Sequence, residues 1–159
     1  MSEASIEQMI RDFLARILQG TFDGVCALDE ESQDCVMERQ AESCVRGYVE
    51  LHQIPDALEL DAFLERMEMG EPGRIRIQRD GNSILFDESQ HGQCSCPLVT
   101  QNVIPLRPEL CRCSTHWVRK LFERHVRGPV RVEVVESVAL GSQNCVFRVE
   151  IGDPSPPVG

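Results

Sequence analysis

The chain has 159 residues, 26% charged and 42% hydrophobic, which is enough for one domain around one apolar core and too apolar for a disordered segment. Its formal net charge of −10 argues against nucleic acid and against an acidic membrane surface as partners, because both are held by Lys and Arg. The opening run MSEASIEQMIRDFLARIL carries acids and amides and no long apolar stretch, so it predicts neither a secretion signal nor a membrane span, and a cytoplasmic setting is expected. Structural disulfides rarely persist there, so the eight cysteines call for metal ligation, redox chemistry or plain burial.

Residues 5–18 place Ile6, Met9, Ile10, Phe13, Leu14 and Ile17 at helical spacing opposite Glu7, Arg11 and Arg16, which predicts an amphipathic helix with its apolar side in the core. The stretch DEESQDCVMERQAESCVRGYVELH predicts a second helix opened by Asp29, with acids at its positive N-terminal end. Its expected inward stripe is Met37, Ala41, Cys44, Tyr48 and Leu51. Cys35 and Cys44 are nine residues, or about 900°, apart on that helix and point to opposite sides. Two readings of Cys44 stand: a buried filler, or a thiol lining a pocket or ligating a metal.

LELDAFLERMEMG predicts a short third helix closed by Gly70. In GRIRIQRDGNSILFDE the period changes to two around Asp80-Gly81, a hairpin signal. Two Cys-x-Cys pairs follow, Cys94/Cys96 and Cys111/Cys113, separated by a proline-rich loop. THWVRKLFERHVRG predicts a helix capped by Ser114, with Trp117, Val118, Leu121 and Phe122 inward. PVRVEVVESVAL and NCVFRVEIG predict a second hairpin, and residues 152–159 a loose tail. This order predicts a single α+β domain: N-terminal helices on an antiparallel sheet of two hairpins, with a helix inserted between them.

Thiolates around a tetrahedral zinc lie roughly 3.8 Å apart, whereas cysteines two apart on an extended strand are separated by about 6.6 Å. Each Cys-x-Cys pair must therefore turn to share an ion, and Gly92 and Pro97 offer a turn at the first. Cys111 and Cys113 fall at the start of a helix beside Arg112, where thiolate is favoured. Cys145 shares parity with Phe147, Val149 and Ile151 and is expected to face the core. Glu136 shares parity with Val130, Val132 and Val134; either it is buried with a metal or an arginine for partner, or a bulge turns it outward. The expected metal shell draws on Cys111, Cys113 and Cys145, completed by Cys94 or Cys96, with zinc the first choice and an iron–sulfur cluster the second.

The run CRCSTHWVRKLFERHVRGPVRVEVVESVALGSQNCVFRVEI resembles the end of the 4-vinyl reductase, or hydrocarbon-binding, domain. The likeness rests on Cys111, the segment RGPVRVEVVES, Gly141, and NCVFRVEI with Cys145, over residues 111–151. It implies a small-molecule sensor with an apolar pocket for aromatic or hydrocarbon ligands beside a zinc site of cysteines and a glutamate, commonly in a homodimer. Ser137 stands where the family has a cysteine and Val134 where it has the glutamate, and the CSCP pair is an addition.

The expected pocket residues are Cys44, Tyr48, Trp117, Phe122 and Glu136. His116 shares a helix side with Lys120 and Glu123, which predicts a solvated face. From another class comes the rival reading, a small hydrolase or thiol-dependent enzyme using Cys94, Cys96, Cys111 or Cys113, for instance Cys113 with His116. No oxyanion-hole motif accompanies that pair.

Overall fold

The structure is a computed structural model that describes residues 3–56, 58–88 and 91–153. The chain runs α1 (Glu3–Cys26), α2 (Glu30–His52), α3 (Leu60–Gly70), β1 (Ile75–Asp80), β2 (Ser83–Glu88), a short α4 (Pro97–Thr100), α5 (Leu110–Glu123), β3 (Val130–Glu136) and β4 (Cys145–Ile151). A 3-10 turn at Val138–Leu140 replaces the expected end of the third strand. This is the α+β arrangement read from the sequence: N-terminal helices, then a four-stranded antiparallel sheet with a helix between its hairpins. The expected tail falls, from residue 154 on, outside the described residues.

The strand order is β1-β2-β4-β3, so the hairpins join through β2 and β4, with Phe86 opposite Phe147 and Ile84 opposite Val149. Alternation puts Ile84, Phe86, Phe147 and Val149 on the face covered by helices. There they pack with Val45 and Val49 of α2, Phe63 and Met67 of α3, and Val118, Leu121 and Phe122 of α5. Phe122 is edge-on to both Phe63 and Phe86, with ring centroids 5.4 and 5.8 Å away, and so fixes α5 against helix and sheet together.

Asp29 caps α2 as expected, its Oδ1 accepting from Ser32 N at 2.9 Å. The buried stripe of α2 is Met37, Ala41, Val45 and Val49, one position on from the predicted stripe in its second half. Cys44 is consequently exposed and Leu51 is 78% exposed. Both stripes are helically periodic, and β-branched Val45 and Val49 fill the contact with the sheet and α5 more completely.

Helix α5 starts at Leu110, ahead of the expected cap: Ser114 lies inside the helix, its Oγ donating to Leu110 O at 3.2 Å. Cys111 and Cys113 are therefore first-turn residues of the helix. The side of α5 expected to be solvated faces α2 instead. His116 is 7% exposed, and Arg119 and Lys120 reach Glu38 at 2.8 and 2.9 Å.

Helix α1 also departs from expectation. Only its end docks, through Phe22, Val25 and Cys26, onto a second small core with Met37, Ile104 and Leu110. The apolar side read as core-facing is open to solvent, Ile6, Met9, Ile10, Phe13, Leu14 and Ile17 being 40–62% exposed. Among the described residues no helix is long and apolar enough to cross a membrane.

Candidate functional site

Six of the eight cysteines gather along one seam. The hydrogen bond from Gly92 N to Gln143 O (2.6 Å) ties the loop after β2 to the turn before β4. Gly92 has φ +80°, a left-handed conformation that glycine adopts without strain. Pro97 then opens α4 with Cys96 at its cap position, so the turn expected at the first Cys-x-Cys pair is present. The loop brings Cys94 and Cys96 over the first turn of α5 and the start of β4.

Electrostatics record which thiols are neighbours. Burial pushes the Cys113 thiol up to about 12, and Cys96 and Cys44 push the same way. The Cys94 thiol is raised to about 11, first by burial, with Cys96, Cys145 and Glu88 adding to it. Cys145 is raised by burial and then by Glu88 and Cys111, against the hydrogen bond from the Val138 backbone. Cys44, although on the exposed side of α2, has its thiol raised by desolvation and by Cys96, while the Trp117 side chain pulls the other way. Two groups result, Cys44–Cys96–Cys113 and Cys94–Cys111–Cys145, linked through Cys94 and Cys96. Cys44, Cys94, Cys113 and Cys145 hold their protons at neutral pH, and for Cys113 this reverses the thiolate expected at a helix N-terminus, because desolvation outweighs the helix field.

All five expected metal-site cysteines lie in this seam. The acid there is Glu88, which the sequence reading passed over. It extends the inward parity of Ile84 and Phe86, and that periodicity was the available signal. Burial raises its carboxyl above the usual range despite a 2.6 Å hydrogen bond donated by Ser95 Oγ. Glu136 takes the outward alternative: a register irregularity between Val134 and Glu136 turns it to solvent. Cys111 Sγ lies 2.9 Å from Ser137 Oγ, and Cys111 is also a neighbour of Cys145.

The donor set of thiols and one carboxylate suits zinc chemically. Its sulfurs are within reach of one another's charge but do not share one centre: among the described residues no three His, Cys, Asp or Glu side chains are placed to hold a metal ion.

The expected pocket residues separate. Phe122 is fully buried in the core. Tyr48 borders a cavity of about 230 Å³ between α2 and α3, with His52, Ile54, Arg66, Met67 and Gly70. Its hydroxyl donates to Glu71 Oε1 at 3.0 Å, and burial with the nearby Glu71 raises its pKa. Trp117 stands edge-on to Tyr48 at 5.2 Å and connects the cavity to the thiol seam at Cys44.

His116 is not paired with Cys113. Arg119 Nη2 lies 3.0 Å from His116 Nδ1, and arginine only donates, so Nδ1 accepts and Nε2–H donates to Asp34 Oδ1 at 2.8 Å. Nε2 fastens α5 to α2, while Nδ1 holds Arg119 of the same helix, which itself donates to Glu38 of α2.

Helices over one face of an antiparallel four-stranded sheet define the fold, and a solved structure shares it: a trafficking protein particle complex subunit 3 from Naegleria fowleri, covalently bound to palmitic acid. The TM-score is 0.53 at 10% identity, covering 96% of this chain and 98% of that one, so the likeness concerns the fold. A family model described as a family of unknown function, DUF6144, matches residues 35–155, and the chain belongs to that family. No curated protein matches. Helix α1 precedes the matched residues, whereas the thiol seam and the Tyr48 cavity lie within them.

Proposed function

We propose that this protein is a binding module for a small apolar molecule, with a cysteine-ligated zinc beside the ligand site. The carrying observation is the gathering of Cys44, Cys94, Cys96, Cys111, Cys113 and Cys145 with Glu88, from α2, α5, β2, β4 and one loop. A cation displacing the protons of Cys94, Cys113 and Cys145 would draw those thiolates toward it, so metal uptake would pull the seam together. Zinc would supply a crosslink from the cysteine loop and α5 to the closing hairpin, at a site where burial keeps Cys94, Cys113 and Cys145 protonated in its absence.

The resemblance to the hydrocarbon-binding domain supports the reading in one respect. Its matched positions Cys111, Ser137 and Cys145 are spatial neighbours, and Glu88 offers the carboxylate that Val134 lacks. The solved neighbour carries an acyl chain, which agrees with an apolar ligand in such a fold. In this chain the Tyr48 cavity is below the roughly 300–1,000 Å³ of drug-sized sites, so a ligand held there alone is a small one.

Protein purified without an immobilised-metal column is expected to hold about one zinc per chain, with no iron–sulfur absorption in the visible spectrum. Cys113→Ser and Cys145→Ser each lower the zinc content. A chain that takes up no zinc from buffered solution and keeps all thiols equally reactive would overturn the reading, and one thiol alkylated far faster than the rest would favour the thiol enzyme instead.

A further inference from the structure

Among the described residues nothing covers the apolar stripe of α1. Ile6, Ile10, Phe13 and Ile17 point in nearly one direction at about 100° per residue, with Met9 and Leu14 flanking them. The side that docks on the body, through Phe22 and Val25, is a different one. Six side chains at 40–62% exposure offer roughly 600 Å² of surface, which with its polar rim approaches the ~800 Å² each partner gives to a standard interface.

The order of residues along the stripe specifies a partner. About a midpoint between Arg11 and Asp12 the helix is a pseudo-palindrome: Ile6 mirrors Ile17, Met9 mirrors Leu14 and Ile10 mirrors Phe13. Two copies running antiparallel about that point bring each of these six residues level with another of the six. The charges agree. Glu7 and Arg11 lie on one flank and Asp12 and Arg16 on the other, so each rim of the pair carries both signs and the segment is neutral in a chain of net charge −10. An antiparallel pair also opposes the helix dipoles and sets the two acidic bodies at opposite ends, where a parallel pair would press them together.

We propose that α1 is a self-association surface, through which two copies of this chain form an isologous dimer by antiparallel pairing of residues 6–17. The anchors are the central Ile10 and Phe13, and binding leaves the thiol seam open.

Sedimentation equilibrium of the full chain at micromolar concentration tests this. A dimer is expected. Phe13→Glu, at a solvent-exposed position, should yield monomers that keep the wild-type circular-dichroism spectrum, and Ile10→Lys repeats the test with the opposite charge. To fix the direction, Ile6→Cys protein is mixed with Ile17→Cys protein and oxidised: a 6–17 link between chains is expected by peptide mass spectrometry. A monomeric wild-type chain overturns the proposal, whether α1 then binds phosphatidylcholine vesicles or nothing. So does a dimer unaffected by Phe13→Glu and Ile10→Lys, and so does a predominance of 6–6 links.

Discussion

Cys111 of α5 and Ser137, the residue after β3, face each other with Sγ and Oγ 2.9 Å apart. Ser137 is buried, and its Oγ also accepts from Ala139 N at 3.1 Å, so it cannot turn away without exposing an unpaired amide at the 3-10 turn. Helix α5 and the strand connection are thus in contact at the position where the resembled family carries a second cysteine. Ser137→Cys is expected to place two thiols within bonding reach, so that mild oxidation removes two free thiols relative to the reduced variant. Thiol titration with peptide mapping checks this, and an unreduced thiol count, with no 111–137 link, contradicts the placement.

Phe122 is the residue on which α5, α3 and the sheet all close, fully buried between the rings of Phe63 and Phe86. Phe122→Ala leaves a ring-sized cavity that three elements must collapse together to fill. The expected loss is about 3–5 kcal/mol, read as a shift of the urea midpoint with an unchanged slope. A loss under about 1 kcal/mol would place the ring outside the core.

Glu88 makes stability fall as pH rises. Burial raises its carboxyl in the folded chain above the ordinary glutamate value of 4.5, which opens a pH window between the unfolded and folded values. In that window the folded chain retains a proton that the unfolded chain has released, and the slope of unfolding free energy with pH is negative. The contribution is complete below the unfolded pKa and is lost as pH rises through the folded one. Glu88→Gln keeps an acceptor for Ser95 Oγ and removes the ionisation. The variant's stability relative to wild type is therefore expected to grow from pH 4 to pH 7 in metal-free protein, and chemical denaturation at a series of pH values checks it. A constant difference would show that Glu88 is solvated.

How far the chemistry was legible depended on whether it lay on one element or between several. Period and capping alone point to the cap at Asp29, the turn at Gly81 and the inward Val118, Leu121 and Phe122. The stripe of α2 was misplaced because Cys44 and Val45 satisfy the same period, and only the fit against α5 chooses between them. Along the sequence His116 reads as solvated because its neighbours at helical spacing are charged. The charges are instead turned toward Asp34 and Glu38 of α2, which no count along α5 reveals.

By itself the sequence determined the α+β class, the two hairpins and the candidacy of the paired cysteines, since these follow from hydrophobic period, turn chemistry and residue type within a few neighbouring positions. The tertiary structure decided the rest: that Glu88 and not Glu136 lies in the seam, that Cys44 joins it, and that the apolar side of α1 is exposed. Each of these depends on which surfaces meet across tens of residues, and such meetings are settled by packing between elements, for which a local pattern carries no record.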